Sequence, residues 1–129
     1  MSVINLDLSE KTVIGSFSGN FISANTAPYT VRRIGDVVFL YMSMNINVSG
    51  TAADQLFITP ALTAEYRPKS NLFIPVFVLV AGTRQDGLLS INTAGALSLS
   101  TSATQAVFPI NGGGNGYNPI NVQYLISKV

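Results

Sequence analysis

The residues able to do chemistry in this chain are few. Its 129 residues hold six Asp or Glu and seven Lys or Arg, with no His and no Cys. Without imidazole or thiol, the Ser-His-Asp and Cys-His nucleophilic arrangements cannot be assembled, and a zinc site would have to be built from carboxylates alone. Asp7, Glu10, Asp36, Asp54, Glu65 and Asp86 could in principle supply the two carboxyl groups, about 5 to 9 Å apart, that glycoside hydrolysis needs. No local motif pairs them. Gly15-Ser16-Phe17-Ser18-Gly19 fails as a nucleophile elbow because Phe17 holds the middle position. Gly112-Gly113-Gly114-Asn115-Gly116 lacks the Lys-Ser/Thr that completes a phosphate-cradling loop and reads as a flexible loop. The chain is therefore read as a non-enzyme that calls for no metal and no cofactor.

Binding chemistry is what remains. Gly82-Thr83-Arg84-Gln85-Asp86-Gly87 brackets a base, an amide and an acid between glycines and reads as a loop. A carboxylate beside a planar guanidinium can fork across adjacent hydroxyls of a polyhydroxyl ligand, while an aromatic face covers the ligand's apolar side. The alternative is a solvated hairpin turn with a local ion pair. A second loop, Asn111 to Asn118, adds the amides of Asn115 and Asn118 and the ring of Tyr117, the most suitable stacking platform in a chain without Trp, with Tyr66 in reserve. Arg32 and Arg33 point to opposite faces of one strand and read as ordinary partners of Asp36 or a neighbouring carboxylate.

These side chains must be positioned by strands. In Val37 to Val48, VVFLYMSMNINV, a period of two puts Val38, Leu40, Met42, Met44, Ile46 and Val48 on one face. A helix would scatter the same residues around its cylinder. Twelve residues exceed the usual strand, so a bend or bulge is expected partway. Val13 to Phe17, Tyr29 to Ile34, Gln55 to Thr59, Asn71 to Ala81, Leu88 to Ile91, Leu97 to Leu99, Val107 to Ile110 and Ile120 to Ile126 read as further strands, and Ile4, Leu6 and Leu8 mark another short one. Gly35-Asp36 reads as a tight turn, and Asn92 to Ala96 as a hairpin with Gly95 free to take positive φ. Pro75 cannot donate to a ladder, which puts its strand at an edge or a bulge. Nine or ten short strands with no helical period predict an all-β, antiparallel jelly-roll sandwich over residues 1–129, with 1–12 as a lead-in.

Composition narrows the partners. Charged residues make up 10% of the chain, and none occurs from Gly87 to Ser127. A net charge of +1 with scattered basic residues offers no stripe for nucleic acid or for an anionic membrane. No secretory signal is visible, and the most apolar run, Leu72 to Ala81, is too short to span a bilayer. Two strands are apolar on both faces, so Phe39, Tyr41, Phe73, Phe77 and Tyr124 need cover. A folded-over segment or a subunit interface could supply it, and the low charge favours an interface.

The run Arg32-Arg33-Ile34-Gly35-Asp36-Val37-Val38, the FITPAL and EYRP segments, the hairpin Ile91 to Leu97 and the closing Tyr117 to Tyr124 segment resemble the C-terminal head domain of phage receptor-binding proteins. These are the tail-fibre and baseplate heads of phages of Gram-positive bacteria, lactococcal ones above all. The resemblance spans Val13 to Ile126. It implies a jelly-roll head assembled as a homotrimer, carried at the virion's tail tip or baseplate beside other tail proteins, and adsorbing to host cell-wall saccharide. The saccharide would then sit on Arg84, Gln85, Asp86, Asn115, Tyr117 and Asn118. The alternative is a structural virion or trimerisation module of the tumour-necrosis-factor/C1q-like jelly-roll type that binds no saccharide.

Overall fold

Period-two alternation yields strands throughout. The computed structural model describes residues 8–18, 26–48, 55–102, 107–108 and 114–126. The strands are β1 (Leu8–Ser18), β2 (Thr26–Ile34), β3 (Val37–Met42), β4 (Asn45–Val48), β5 (Leu56–Thr59), β6 (Leu72–Val80), β7 (Thr83–Ile91), β8 (Leu97–Ser100), β9 (Asn115–Tyr117) and β10 (Ile120–Leu125). Among the described residues one 3₁₀ turn, Ala64–Tyr66, is followed by Arg67 in extended backbone, as the residue before Pro68 requires. All pairings among the described residues are antiparallel, in one sheet of order β10-β3-β2-β1-β5-β8-β7-β6-β9-β4.

That order nearly closes on itself. The pairs β3·β10 and β4·β9 stand at opposite ends of it, yet Ser43-Met44 and Asn118-Pro119 join them directly. Met42 faces Ile120 and Asn45 faces Tyr117, so one ribbon keeps its register through a corner and slips only between Asn45 and Val48. The two ends of the sheet are therefore halves of one bent ribbon, and the sheet curls into a near-barrel.

The corner accounts for one reversed expectation. Val38, Leu40, Met42 and Val48 are buried as the alternation requires, but Met44 is 56% exposed. It lies in the two-residue corner, where the chain leaves the β2 ladder for β9 and the alternation lapses. The side chain of Ile46 lies outside the described residues, as do the expected Ile4–Leu6 strand and all but Val107 and Phe108 of the strand expected to end at Ile110.

The two expected turns form as read. Ile34 faces Val37 across Gly35-Asp36, with Gly35 at φ 59°. In the β7–β8 hairpin Asn92 Oδ1 accepts from the N–H of Ala94 and of Ala96, at 3.0 and 2.9 Å, and Gly95 sits at φ 84°. Pro75 occupies a half-open position: β6 is paired with β7 along its whole length but with β9 only at Val78 and Leu79.

The core gathers Phe17, Tyr29, Val31, Leu40, Met42, Leu56, Ile58, Leu89, Ile91, Leu99 and Phe108 inside the curl. Gly15 is held there by contact between strands. A Cβ on it would collide with the Ala27 carbonyl oxygen on β2 and come within 3.1 Å of the Thr59 carbonyl oxygen on β5, which pairs with β1 on the other side. Both obstacles are backbone and cannot rotate away. Gly15→Ala is expected to cost about 3 kcal/mol, at the upper end of ordinary overpacking, read as a drop in the urea midpoint at unchanged slope.

Candidate functional site

Register decides which of the site residues meet. The β6–β7 turn is only Ala81-Gly82, with both φ positive at 51° and 82°, the geometry of a two-residue hairpin. Thr83 to Gly87 therefore belong to a strand and not to a loop, which corrects the reading from bracketing glycines. Their polar side chains hid the strand, because the ladder is made by backbone groups that carry no sequence signature.

A strand splits the triplet. Phe77 faces Asp86 and Leu79 faces Arg84, so Arg84 and Asp86 share the outer face with Phe77, while Gln85 falls on the other face opposite Val78. There the Gln85 amide donates to the Thr101 carbonyl at 2.7 Å, a structural tie. Asn118 donates its backbone N–H to the Phe77 carbonyl at 3.1 Å, which extends the row to Asp86, Phe77, Asn118. The Arg84 guanidinium lies over the Phe77 ring, its carbon 4.9 Å from the centroid, a cation–π contact of about 0.5–1 kcal/mol at an exposed site.

Tyr117 is not a stacking platform. It has no exposed surface and packs against Phe17, ring centroids 6.4 Å apart. Burial pushes its phenol well above the ordinary value. Tyr66 is buried as well. Asn115 is buried too, its Oδ1 accepting the Ala81 N–H at 3.1 Å, while the Gly114 carbonyl accepts the Gly82 N–H at 2.9 Å. The described end of the glycine-rich segment thus clamps the β6–β7 turn. The aromatic that the sequence reading missed is Phe77, 50% exposed beside Arg84 and Asp86. Its membership of a doubly apolar strand was visible; its neighbours depended on where the hairpin turned.

A second outward group stands on β3. Phe39 and Tyr41 are exposed, as is Leu125 on β10, but Tyr124 turns inward and donates its hydroxyl to the Tyr66 carbonyl at 2.7 Å. That removes Tyr124 from the set of residues needing cover.

A cleft of about 190 Å³ opens between β1–β2 and Pro60–Tyr66, lined by Lys11, Val13, Tyr29, Val31 and the Pro60–Thr63 segment, with no carboxylate among its described lining residues. Two larger clefts hold one carboxylate each: about 220 Å³ beside Ser9, Glu10, Arg32 and Arg33, and about 420 Å³ beside Asp36, Lys69, Leu125 and Ile126. The described acids Glu10, Asp36, Glu65 and Asp86 are spread over β1, the β2–β3 turn, the 3₁₀ turn and β7. Glu65 is held below the usual carboxylate range, chiefly by a hydrogen bond from its own backbone N–H, the reverse of what a general acid needs. Among the described residues no group of three or more Asp or Glu could hold a metal ion.

The chain is similar to a virophage structural protein. The identity to structural protein V8 of Sputnik virophage is 26% over 129 residues, covering 97% of this chain and 70% of that protein. No family model matches.

Proposed function

We propose that this chain is a structural component of a virus particle, a non-enzymatic jelly-roll head that associates as a homotrimer. The observation that carries this reading is the similarity to a virion structural protein along 97% of the chain. The outward aromatics on β3 and β6 support it, since a protein that worked alone in water would be left with two wet apolar rows. The bent ribbon, passing from one half of the sheet to the other, suits a jelly roll. Mass spectrometry of purified particles from producing cells tests the assignment. The protein is expected in a fixed copy number per particle; abundance in the cells with absence from the particles would overturn it.

The second reading is a tail-tip or baseplate head that binds host cell-wall saccharide. It is favoured by the grouping of Arg84, Asp86 and Asn118 around Phe77, with Phe77 replacing Tyr117 as the platform. On this reading Arg84→Ala with Asp86→Ala abolishes cell-wall binding and leaves the melting temperature within a few degrees, because both side chains lie outside the core. Undiminished cell-wall binding by the double variant would dismiss this site.

A further inference from the structure

The curl leaves the outer edge of β10 open. Ile126 donates its N–H to the carbonyl of Asp36, at 3.0 Å, and the pairs Tyr124–Val38, Val122–Leu40 and Ile120–Met42 continue that phase along the ladder. Backbone groups alternate sides along a strand, so those of Ile120, Val122 and Tyr124 serve β3, while those of Asn121, Gln123 and Leu125 point away from it. The Leu125 carbonyl accepts the Lys69 N–H at 3.2 Å on that outer side, in keeping with the phase. The next tie there is from the Asn118 N–H to the Phe77 carbonyl, at 3.1 Å. Between these two ties, among the described residues, no hydrogen bond reaches the N–H or C=O of Asn121 or Gln123. Pro75, on the same side of β6 as Phe77, has no N–H to offer them.

An open edge is normally defended by charge, proline, a bulge or shortness. β4, at the other end of the strand order, is four residues long and slips its register. From Ile120 to Leu125, β10 has no charge, no proline and no slip. The side chains of Asn121 and Gln123 are exposed, and Val122 on the inner face is only half-buried.

Resting on the reading of this chain as a virion component present in many copies, we infer that β10 is an assembly edge whose occupant is β10 of a second copy, antiparallel about a two-fold axis at Val122. The free backbone groups select this register. With Val122 on the axis, Asn121 of each copy lies opposite Gln123 of the other, and each such pair exchanges both of its N–H···O bonds. No free donor or acceptor of Asn121 or Gln123 is left over on either strand. Moving the axis to Asn121 would set Gln123 opposite Pro119, which has no N–H. Moving it to Gln123 would set Asn121 opposite Leu125, whose carbonyl Lys69 already holds. Asn121 and Gln123 share the outer face with Tyr41 and Phe39, and their amides both donate and accept, so they pair across the axis without any charge to repel. On the inner face each Val122 covers its twin. A foreign strand could bond the same groups on one copy, but the fit of this stretch to itself favours a second copy. A two-fold contact cannot lie within a trimer, so it joins one trimer to the next.

The chain has no cysteine of its own, so a single introduced thiol reports on the axis. Opposed residues of a non-hydrogen-bonded antiparallel pair have Cα atoms about 4.5 Å apart, inside the range of about 4.4–6.8 Å that a disulfide spans. Under mild oxidation, purified Val122→Cys protein is expected to form a covalent dimer about tenfold or more faster than Met44→Cys, although Met44 is the more exposed position. Adding Gln123→Pro to the Val122→Cys chain removes an outward N–H that the fold does not use. It should leave the circular dichroism unchanged and bring the dimer down to the Met44→Cys rate, and Asn121→Pro should do the same. A Val122→Cys chain that cross-links no faster than Met44→Cys, or equally fast with either proline in place, would overturn the edge contact. Cross-linking of Val122→Cys to a different protein in purified particles would overturn it too. Each of these results would leave the virion assignment standing wherever the protein is found in the particles.

Discussion

Met42→Asp is expected to lower the melting temperature by about 15 °C or more, the loss of roughly 4 kcal/mol in a domain of this size. Met42 has no exposed surface and sits in the middle of three strands, opposite Tyr29 on one side and Ile120 on the other. A carboxylate there has no cation within the described core to pair with, so it must either stay charged without water or take up a proton at a cost in free energy. Met44→Asp is the control. That side chain stands in the corner of the ribbon, exposed to solvent, and its replacement should move stability by no more than about 0.5 kcal/mol. Thermal unfolding followed by circular dichroism separates the two. Equal melting temperatures for both variants would mean that the inner face of β3 is wrongly assigned.

Raising the pH above 10 is expected to unfold the protein steeply. Burial pushes the phenols of Tyr117 and Tyr124 far above their ordinary value of 10.0, the charge of Tyr29 adding a smaller push on Tyr124, and burial raises Tyr29 as well. The sign follows from which state holds the proton. In the unfolded chain these phenols ionise near 10, while in the folded chain they stay neutral, so the contribution is complete below about pH 10 and is lost as the pH climbs beyond it. Each strongly raised tyrosine forfeits about 1.4 kcal/mol per pH unit, so the pair costs about 5 kcal/mol by about pH 12. That is comparable to the whole stability of many domains. Urea midpoints across this range should fall with a slope that Tyr117→Phe reduces by one proton. The Tyr117 hydroxyl finds no hydrogen-bond partner among the described residues, so removing it should cost little at neutral pH. A midpoint that stayed flat from pH 9 to about 12 would show that the rings are wetter than the fold implies.

The candidate site was half legible. Arg84 and Asp86 were visible as a base and an acid two residues apart, and a strand does put such a pair on one face. Gln85, read as their companion, lies on the opposite face for the same reason. Tyr117 was misread because it follows a glycine-rich run, yet a lone aromatic after glycines is also how a chain drops an anchor into a core. Phe77 could be found only after the turn was placed at Ala81-Gly82, since a shift of one residue would have set Gln85 beside it instead.

What the amino-acid order determined by itself is local. Period-two alternation marked most of the strands, though not Asn115–Tyr117 or the Thr83–Gly87 half of β7, both of which read as loops; Gly35-Asp36 and Asn92 to Ala96 marked their turns, and the lack of His and Cys rules out imidazole and thiol chemistry whatever the fold. These properties depend on a residue and its near neighbours along one chain. Tertiary structure decided which strands pair, that one ribbon turns the corner at Ser43-Met44, and therefore that Met44 faces water while Tyr124 does not. It also decided that Arg32 stands beside Phe39 and Asp86 beside Phe77. Neighbours across a ladder come from segments far apart in sequence, and their register is chosen by the burial of all the inner faces at once, so no single stretch encodes the pattern on the outside.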